Sequence, residues 1–559
     1  MKPRLISVAI CATLSIGLVF RSSSAGEFVG SVLDADTGEL LPARVYVQSA
    51  DGQWLFVESA SEKGSALPYR EQWVPMPAAV ERHTTISAHP FRINLPSGTY
   101  TITVERGKEY LPLTEVVAVE DQPQRKEFRL QRWINMAERG WYSGETHVHR
   151  RIAELPNVMR AENLNVAFPV TFWTVQAYAA PDLEPSSLRR QGPSPFGRRV
   201  DQGPRMISVD PTHVIFPRNT EYEVFSVNNK RHTLGALFIL NHKTVFSEGM
   251  PPVGKIAEQA HLEGALLDLD KHSWPWSMML IPIAKVDLFE LANNSVWRTN
   301  FGFRRSSVEP APYMNVESDA GGMTEWGWLN FGFENYYTLL NCGFRLRPTA
   351  GTASGVHPVP LGFSRVYVHT GDRFDADKWL AGLDHGTSFV TTGPMLFAML
   401  DDRRPGHVFQ RPETKERNYR LHIESISPFP LQRVEIVVNG RVFQTIEPQA
   451  GELLEHTSSA YEFQRDVMIP IRESSWIVVR SFCQTPDRRV RFAHTAPWHI
   501  EVAGQPVRPR RREVEYLIRR VRDEIERNES VLPEIALDEF REALRIYEGK
   551  LKLANDADE

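Results

Sequence analysis

Between residues 26 and 132, apolar and polar positions alternate in short runs that end at turn residues. Phe28-Val29-Gly30-Ser31-Val32-Leu33 is followed by Asp34-Ala35-Asp36-Thr37-Gly38, and then by Ala43-Arg44-Val45-Tyr46-Val47. Period-two patterning with Gly and Asp turns predicts a small β-sandwich. From Trp133 to about 395 the apolar runs become continuous, as in Asn165–Val170, Ala236–Leu240 and Lys285–Glu290, with helical or irregular stretches between them. Such runs predict strands covered on both faces, hence an α/β domain. Several end in an ionisable residue, the place where α/β barrels gather catalytic groups. Alternation returns over 396–504, with a hairpin signal at Asn439-Gly440. From Arg511 the spacing is helical, through Val514, Leu517, Ile518, Val521 and Ile525. Pro533 separates a second amphipathic stretch, Leu537 to Leu551, so 505–559 is expected to form a helical hairpin. The expected architecture is therefore multidomain, α/β plus β, with residues 181–206, rich in Pro, Arg, Gly and Ser, as a surface insertion.

The amino terminus follows a different pattern. Met1-Lys2-Pro3-Arg4 is basic, Leu5 to Phe20 is apolar, and Ser23-Ser24-Ala25 is small, which together read as a secretory signal over 1–25. A secreted or periplasmic protein is expected. No later stretch approaches the ~20 apolar residues of a spanning helix, so no integral membrane segment is expected once the signal is removed. The chain has 559 residues, with Lys+Arg 64 against Asp+Glu 69. That balance lacks the positive excess with which proteins grip phosphates, so no nucleic-acid partner is expected. Of the 3 cysteines, Cys11 falls in the signal, and Cys342 and Cys483 are expected as free, buried thiols. The sequons at Asn293 and Asn528 would matter only in a eukaryotic secretory route.

With 17 histidines beside so few cysteines, any metal chemistry would use nitrogen and oxygen donors. The densest cluster is Gly140-Trp141-Tyr142-Ser143-Gly144-Glu145-Thr146-His147-Val148-His149. Residues two apart on a strand point the same way, so His147 and His149 can present two imidazoles to one ion. His242 follows the run Leu237–Leu240, His272 precedes Ser273-Trp274-Pro275, Glu290 ends its own strand, and Glu221 lies in Asn219–Glu223. Donors at strand ends are costly to bury unpaired, and a cation would satisfy them. Other histidines carry blander expectations: His83 and His89 at the surface, His232 in a solvated turn, and His261, His369 and His385 as surface or structural residues. Trp274, Trp276, Trp297, Trp326 and Trp328 read equally as cleft walls or as packing. Glu334 needs only a core or surface role, and Arg345, Arg347 and Arg365 are expected in fold-stabilising pairs. No P-loop, G-x-G-x-x-G or C-x-x-C occurs.

The order of these residues resembles the polymerase and histidinol phosphatase (PHP) superfamily of metallohydrolases, in particular its carbaryl-hydrolase-like (CehA/McbA) branch. The likeness covers Trp133 to Pro394. It includes Gly362-Phe363-Ser364-Arg365-Val366-Tyr367-Val368 and Gly386-Thr387-Ser388-Phe389-Val390-Thr391-Thr392-Gly393-Pro394, similar to the branch's G-x-x-R-x-Y-V and G-x-s-F-V-T-T-G-P motifs. Residues 26–132 resemble the carboxypeptidase-regulatory-like sandwich, through Gly30 to Gly38 and Pro96-Ser97-Gly98-Thr99-Tyr100. The PHP resemblance implies a distorted (β/α)7 barrel over 133–395, between the sandwiches, holding one to three divalent ions, Zn, Mn or Fe. It nominates His147, His149, Glu221, His242, His272 and Glu290 as metal-site residues.

Two motifs depart from the branch. Where it reads T-D-H this chain has Thr171-Phe172-Trp173, and where it reads S-D-x-H the chain has Thr352-Ala353-Ser354-Gly355, with His357 just beyond. Two alternatives stay open. In one, His357 substitutes as a ligand from a shifted loop, and the protein is a secreted metal-dependent hydrolase using a metal-activated water on an ester, amide, carbamate or phosphoester bond of a small-molecule or cell-surface substrate. His357 or Glu221 would then be the proton shuttle where it is not a ligand, a choice that spacing does not make. In the other, a degenerate barrel binds a carbohydrate or other cell-surface ligand without catalysis.

Overall fold

The computed structural model describes residues 25–72, 79–183, 204–298, 301–449, 454–457 and 460–555. The signal segment, Cys11 and most of the insertion over 181–206 lie outside them. No helix among the described residues is long and apolar enough to cross a membrane.

The amino-terminal region is two facing β-sheets. One has four strands in the order Gln124–Leu130, Ala25–Asp34, Phe91–Pro96, Glu58–Ser59; the other has six, with Ala43–Ser49 between Val80–Ile86 and Gly98–Glu105. Alternating inward residues, among them Phe28, Val32, Val45, Val47, Ile102 and Phe128, fill the space between. Buried charges join this sandwich to the central region. Arg44 pairs with Glu162 and, at 2.6 Å, with Glu105, and Arg298 reaches Glu105 at 3.4 Å and Glu81 at 3.9 Å. His83 belongs to this cluster, against the expectation of a surface position. It is buried, 2.8 Å from Glu81, between the rings of Tyr46 and Tyr69.

The central strands fall into two sheets. A seven-stranded sheet runs Asp182–Leu183, Phe172–Gln176, Asn219–Val227, Lys230–Leu240, Leu266–Leu269, Leu288–Ala292, Arg347–Ala350. The second contains Val166–Pro169, Trp141–Val148, Arg365–His369 and Ser388–Thr391 as successive neighbours. Strand pairs among the described residues form no closed circuit, but the sheets meet where Ala353 N donates to His147 O and His149 N to Ser354 O, each at 2.9 Å.

The seven-stranded sheet is mixed, because Lys230–Leu240 runs antiparallel to both its neighbours. The cause is local. Asn228 and Asn229 both take positive φ, 50° and 61°, the two-residue turn that folds adjacent strands into a hairpin.

The second sheet does not stop near residue 395. Ser388–Thr391 pairs with Val490–Thr495, and the sheet continues through Ser475–Gln484 and Leu431–Val438 to a total of twelve strands. A four-stranded sheet built on Arg417–Ser427 and Ala460–Ile471 shares a core with it.

Seven α-helices are described, and the last two, Arg511–Asn528 and Glu534–Leu551, form the hairpin. Val514, Leu517, Val521, Leu537, Phe540 and Tyr547 enter the main core, and Tyr547 Oη donates to Met278 O at 2.7 Å. Cys342 and Cys483 are free and buried. Asn293 and Asn528 are buried too, which closes both sequons to modification in the folded chain.

Candidate metal centre

The strand Trp141–Val148 is buried along its whole length and ends at the contact between the two central sheets. His147 and His149 extend from that end, with their Nε2 atoms 3.2 Å apart. Two metal–nitrogen bonds of ~2.1 Å opened by ~100° would set their nitrogens ~3.2 Å apart. Glu221, from Asn219–Val227, completes a three-donor group with them. Its Oε2 stands 3.3 Å from His149 Nε2, and both its carboxylate oxygens are buried without a hydrogen bond.

On the other side of the His147 ring, Nδ1 lies 3.2 Å from Glu290 Oε1 and 3.9 Å from Asp270 Oδ2, a second three-donor group sharing His147. With Nδ1–H donated to Glu290, the ring is fixed in the tautomer whose Nε2 lone pair faces His149 and Glu221. The packing is tight enough to require a glycine at 351, where a Cβ would overlap both Glu290 Oε1 and His147 Cβ. Lys271 is ion-paired with Asp270, and its Nζ is 3.8 Å from Glu223 Oε1.

Burial, followed by the charge of Lys271, holds the His147 and His357 imidazoles well below their ordinary range, and His357 Nε2 accepts from Asn294 Nδ2 at 3.3 Å. The carboxyls are pushed the other way. Burial and the neighbouring Glu221 charge raise Glu223 to about 8, and burial raises Asp270 to about 6 against the pull of Lys271. Glu290 is raised well above its usual range by burial and by Asp270. Three buried carboxyl groups, Glu221, Asp270 and Glu290, and the half-buried Glu223 therefore face one buried ammonium, a set short of positive charge.

The donors open onto a cleft of ≈ 300 Å³ lined by Trp173, Trp274, Trp328, Asn294, Arg305 and His357. His357 is on a loop whose backbone is tied to the amino-terminal sandwich. Tyr69 Oη donates to His357 O at 2.7 Å and accepts from Gly355 N at 2.8 Å. A larger depression of ≈ 780 Å³, against Arg345, Arg411 and Lys550, contains none of these donors.

A scan against protein-family models finds no match, and none of the curated proteins compared with the chain matches. Among solved structures, a β-glucuronidase from Parabacteroides merdae, with glycerol in its active site, aligns at 11% identity and TM-score 0.17. The alignment takes in 83% of this chain and 61% of that one. At that score it carries no argument about fold or activity.

Of the six nominated residues, the structure brings His147, His149, Glu221 and Glu290 together, and it sets His357, the expected substitute, on the cleft wall. His242 and His272 lie outside both three-donor groups. His242 has its two ring nitrogens engaged, Nε2 with Thr220 Oγ1 at 2.9 Å and Nδ1 with Thr244 O at 2.6 Å. Thr220 precedes Glu221 on the same strand and so faces away from the donors. His272 packs among Phe289, Trp328 and Phe331, where burial lowers its imidazole to about 3.

Asp270, Lys271 and Glu223 occupy the site in their place, and sequence reasoning missed all three. The signal was available in Leu267-Asp268-Leu269-Asp270, whose alternation marks two carboxyls on one face of a strand end. Trp173, noted only for the imidazole it replaces, stands with its ring centroid 5.6 Å from that of His149, edge to face.

Trp276 and Trp297 are fully buried packing residues, and Trp326 covers Phe482. His232 is bonded to Asn528 Oδ1 at 2.7 Å. Arg365 is structural, donating to Glu162 O and Asn163 O at the end of the helix Leu155–Glu162.

Proposed function

We propose that the chain is an extracytoplasmic, metal-dependent hydrolase of the PHP type, its two central sheets forming the distorted (β/α)7 barrel, acting on an ester, amide, carbamate or phosphoester bond. The observation that carries this reading is the group His147 Nε2, His149 Nε2 and Glu221, whose carboxylate oxygens are buried without a hydrogen bond at the floor of a cleft. Two imidazoles and a carboxylate are a donor set that suits Zn, Mn or Fe and leaves a coordination position open. When bound, such an ion would supply Lewis-acid polarisation of the substrate's electrophilic oxygen and a water activated near neutral pH.

The chain's own residues divide the remaining work. Glu290 holds the His147 ring through Nδ1. His357, on the cleft wall and held by Asn294, is assigned the proton shuttle between the attacking water and the leaving group on its position alone. Asn294 and Arg305 are placed to orient a polar substrate, and the indoles of Trp173 and Trp274 exclude water from one side. Elemental analysis of purified full-length protein, joined to a hydrolysis screen over the four bond types, tests the reading. We expect at least about one divalent ion per chain and turnover of one bond class, and a metal content well below one would sink it.

A second reading is favoured by the aromatic walls of the cleft, Trp173, Trp274 and Trp328. These would suit stacking on a carbohydrate held without cleavage. Metal-replete protein that binds an oligosaccharide and turns over none of the four bond classes would select it.

A further inference from the structure

We infer that the Lys271 ammonium occupies the place of a second cation, so that this centre takes one divalent ion, held by His147 Nε2, His149 Nε2 and Glu221. The inference rests on the metal-site reading above and narrows it.

Two three-donor groups lie back to back and share His147, so the site has at first sight the donors for two ions. They are not equivalent. In the group with Asp270 and Glu290, the shared ring offers Nδ1, which lies 3.2 Å and 3.3 Å from the two Glu290 oxygens. A neutral imidazole carries one lone pair and one N–H. If Nε2 binds an ion, Nδ1 holds the proton and Glu290 accepts it, and the second group has no nitrogen lone pair left.

The second group also has a cation already. Lys271 is buried, its ammonium is ion-paired with Asp270, and it lies 3.8 Å from Glu223 and 5.5 Å from the face of Trp274. An ion near Asp270 would have to displace a tethered charge from a carboxylate that it already neutralises. Among the described residues no lysine or arginine is ion-paired with Glu221, and both its carboxylate oxygens are buried without a hydrogen bond. Glu290 is accordingly a positioning residue, acting on the ion through the orientation of His147.

The experiment is metal titration of the full chain, read by elemental analysis and by electron paramagnetic resonance of the Mn(II)-loaded form. Wild type should saturate at about one ion with an uncoupled single-ion spectrum. Lys271→Met, which keeps the apolar stem and removes the charge, should take up a second, weaker ion and show spin coupling, whereas Lys271→Arg should stay at one. Glu290→Gln, whose amide oxygen still accepts from Nδ1–H, should retain one ion with affinity lower by about 10–100-fold, while Glu221→Gln should lose it.

Two ions in wild type would overturn the inference and leave the metallohydrolase reading standing, as would folded Lys271→Met saturating at one. An ion kept by Glu221→Gln and lost by Glu290→Gln would place it in the other group and overturn the inference as well. No ion in wild type would overturn the underlying reading, and the inference with it. If Lys271→Met does not fold, the wild-type stoichiometry and the two glutamine variants decide the matter.

Discussion

Two buried clusters of ionisable side chains lie in this molecule, and their charges are balanced in opposite ways. Where the amino-terminal sandwich meets the central region, Arg44 and Arg298 face Glu81, Glu105 and Glu162. Burial by itself would raise the Glu81 carboxyl, yet Arg298, the His83 hydrogen bond and Arg44 together hold it down to about 2. Glu105 is likewise lowered, because Arg298 and Arg44 outweigh its burial. At the candidate metal centre the same degree of burial drives Glu223 and Asp270 up, since Lys271 is the cation they share. The comparison teaches that burial of charge does not in itself mark a functional site. The first cluster sets two guanidinium groups against three carboxylates and holds two regions together, whereas the second sets one ammonium against four carboxyl groups.

The largest expected effect breaks the second cluster. His147→Ala, His149→Ala and Glu221→Ala should each reduce bound metal to background by elemental analysis, with His261→Ala unchanged. His272→Ala should retain its metal and lose about 2 kcal/mol of stability from packing, read by denaturant unfolding. Loss of metal in His272→Ala would instead put that imidazole among the ligands.

Next comes the guanidinium-paired cluster. Arg298→Ala leaves Glu81 and Glu105 buried with fewer partners, and we expect a loss of about 3–5 kcal/mol in the same unfolding measurement with metal content intact. A loss below about 1 kcal/mol would show that water reaches these carboxylates.

A pH dependence sharpens the contrast. The folded value of Glu81, about 2, lies below its ordinary 4.5, so its contribution is fully present above pH ~4.5 and is lost as pH falls toward 2. The difference amounts to at most about 3 kcal/mol, and Arg298→Ala should flatten that part of the stability profile.

The smallest effect concerns Tyr69, whose hydroxyl links the sandwich to the loop on the cleft wall. Tyr69→Phe removes the hydrogen bonds to His357 O and Gly355 N, and we expect about 1 kcal/mol of destabilisation with metal content unchanged. Hydrolysis should fall only a few-fold, since the backbone of the His357 loop is still held where Ala353 N meets His147 O.

The parts of the site that could be read in the sequence are those fixed by local geometry. His147 and His149 share a strand face because strand side chains repeat every two residues, and their convergence needed no tertiary information. His242 and His272 could not be placed in that way. Each follows the end of an apolar run, and whether such a residue turns toward the cleft or away from it depends on the register between strands. Here Glu221 and Lys271 face inward, while Thr220 carries the bond to His242 and His272 turns among the aromatic rings. His83 was misplaced for a related reason, because its burial comes from docking between two regions and leaves no trace in its own strand. The continuity of the second sheet past residue 395 is equally non-local. It depends on Ser388–Thr391 pairing with a strand about a hundred residues later. The antiparallel course of Lys230–Leu240, by contrast, has a local cause that the pattern of apolar runs passes over, since Asn228-Asn229 is itself a turn pair.

That twelve-stranded sheet bears on how such a protein can be cut, shuffled or inherited. Only Arg365–His369 and Ser388–Thr391 stand between the histidine-bearing strand Trp141–Val148 and the first strand supplied from beyond residue 395. A chain ended at the apparent boundary would present Ser388–Thr391 as a bare edge with unpaired backbone groups, a template for self-association. The carboxy-terminal sandwich is therefore not a detachable module, and gain or loss of that half in a descendant would have to be accompanied by a replacement for the missing edge.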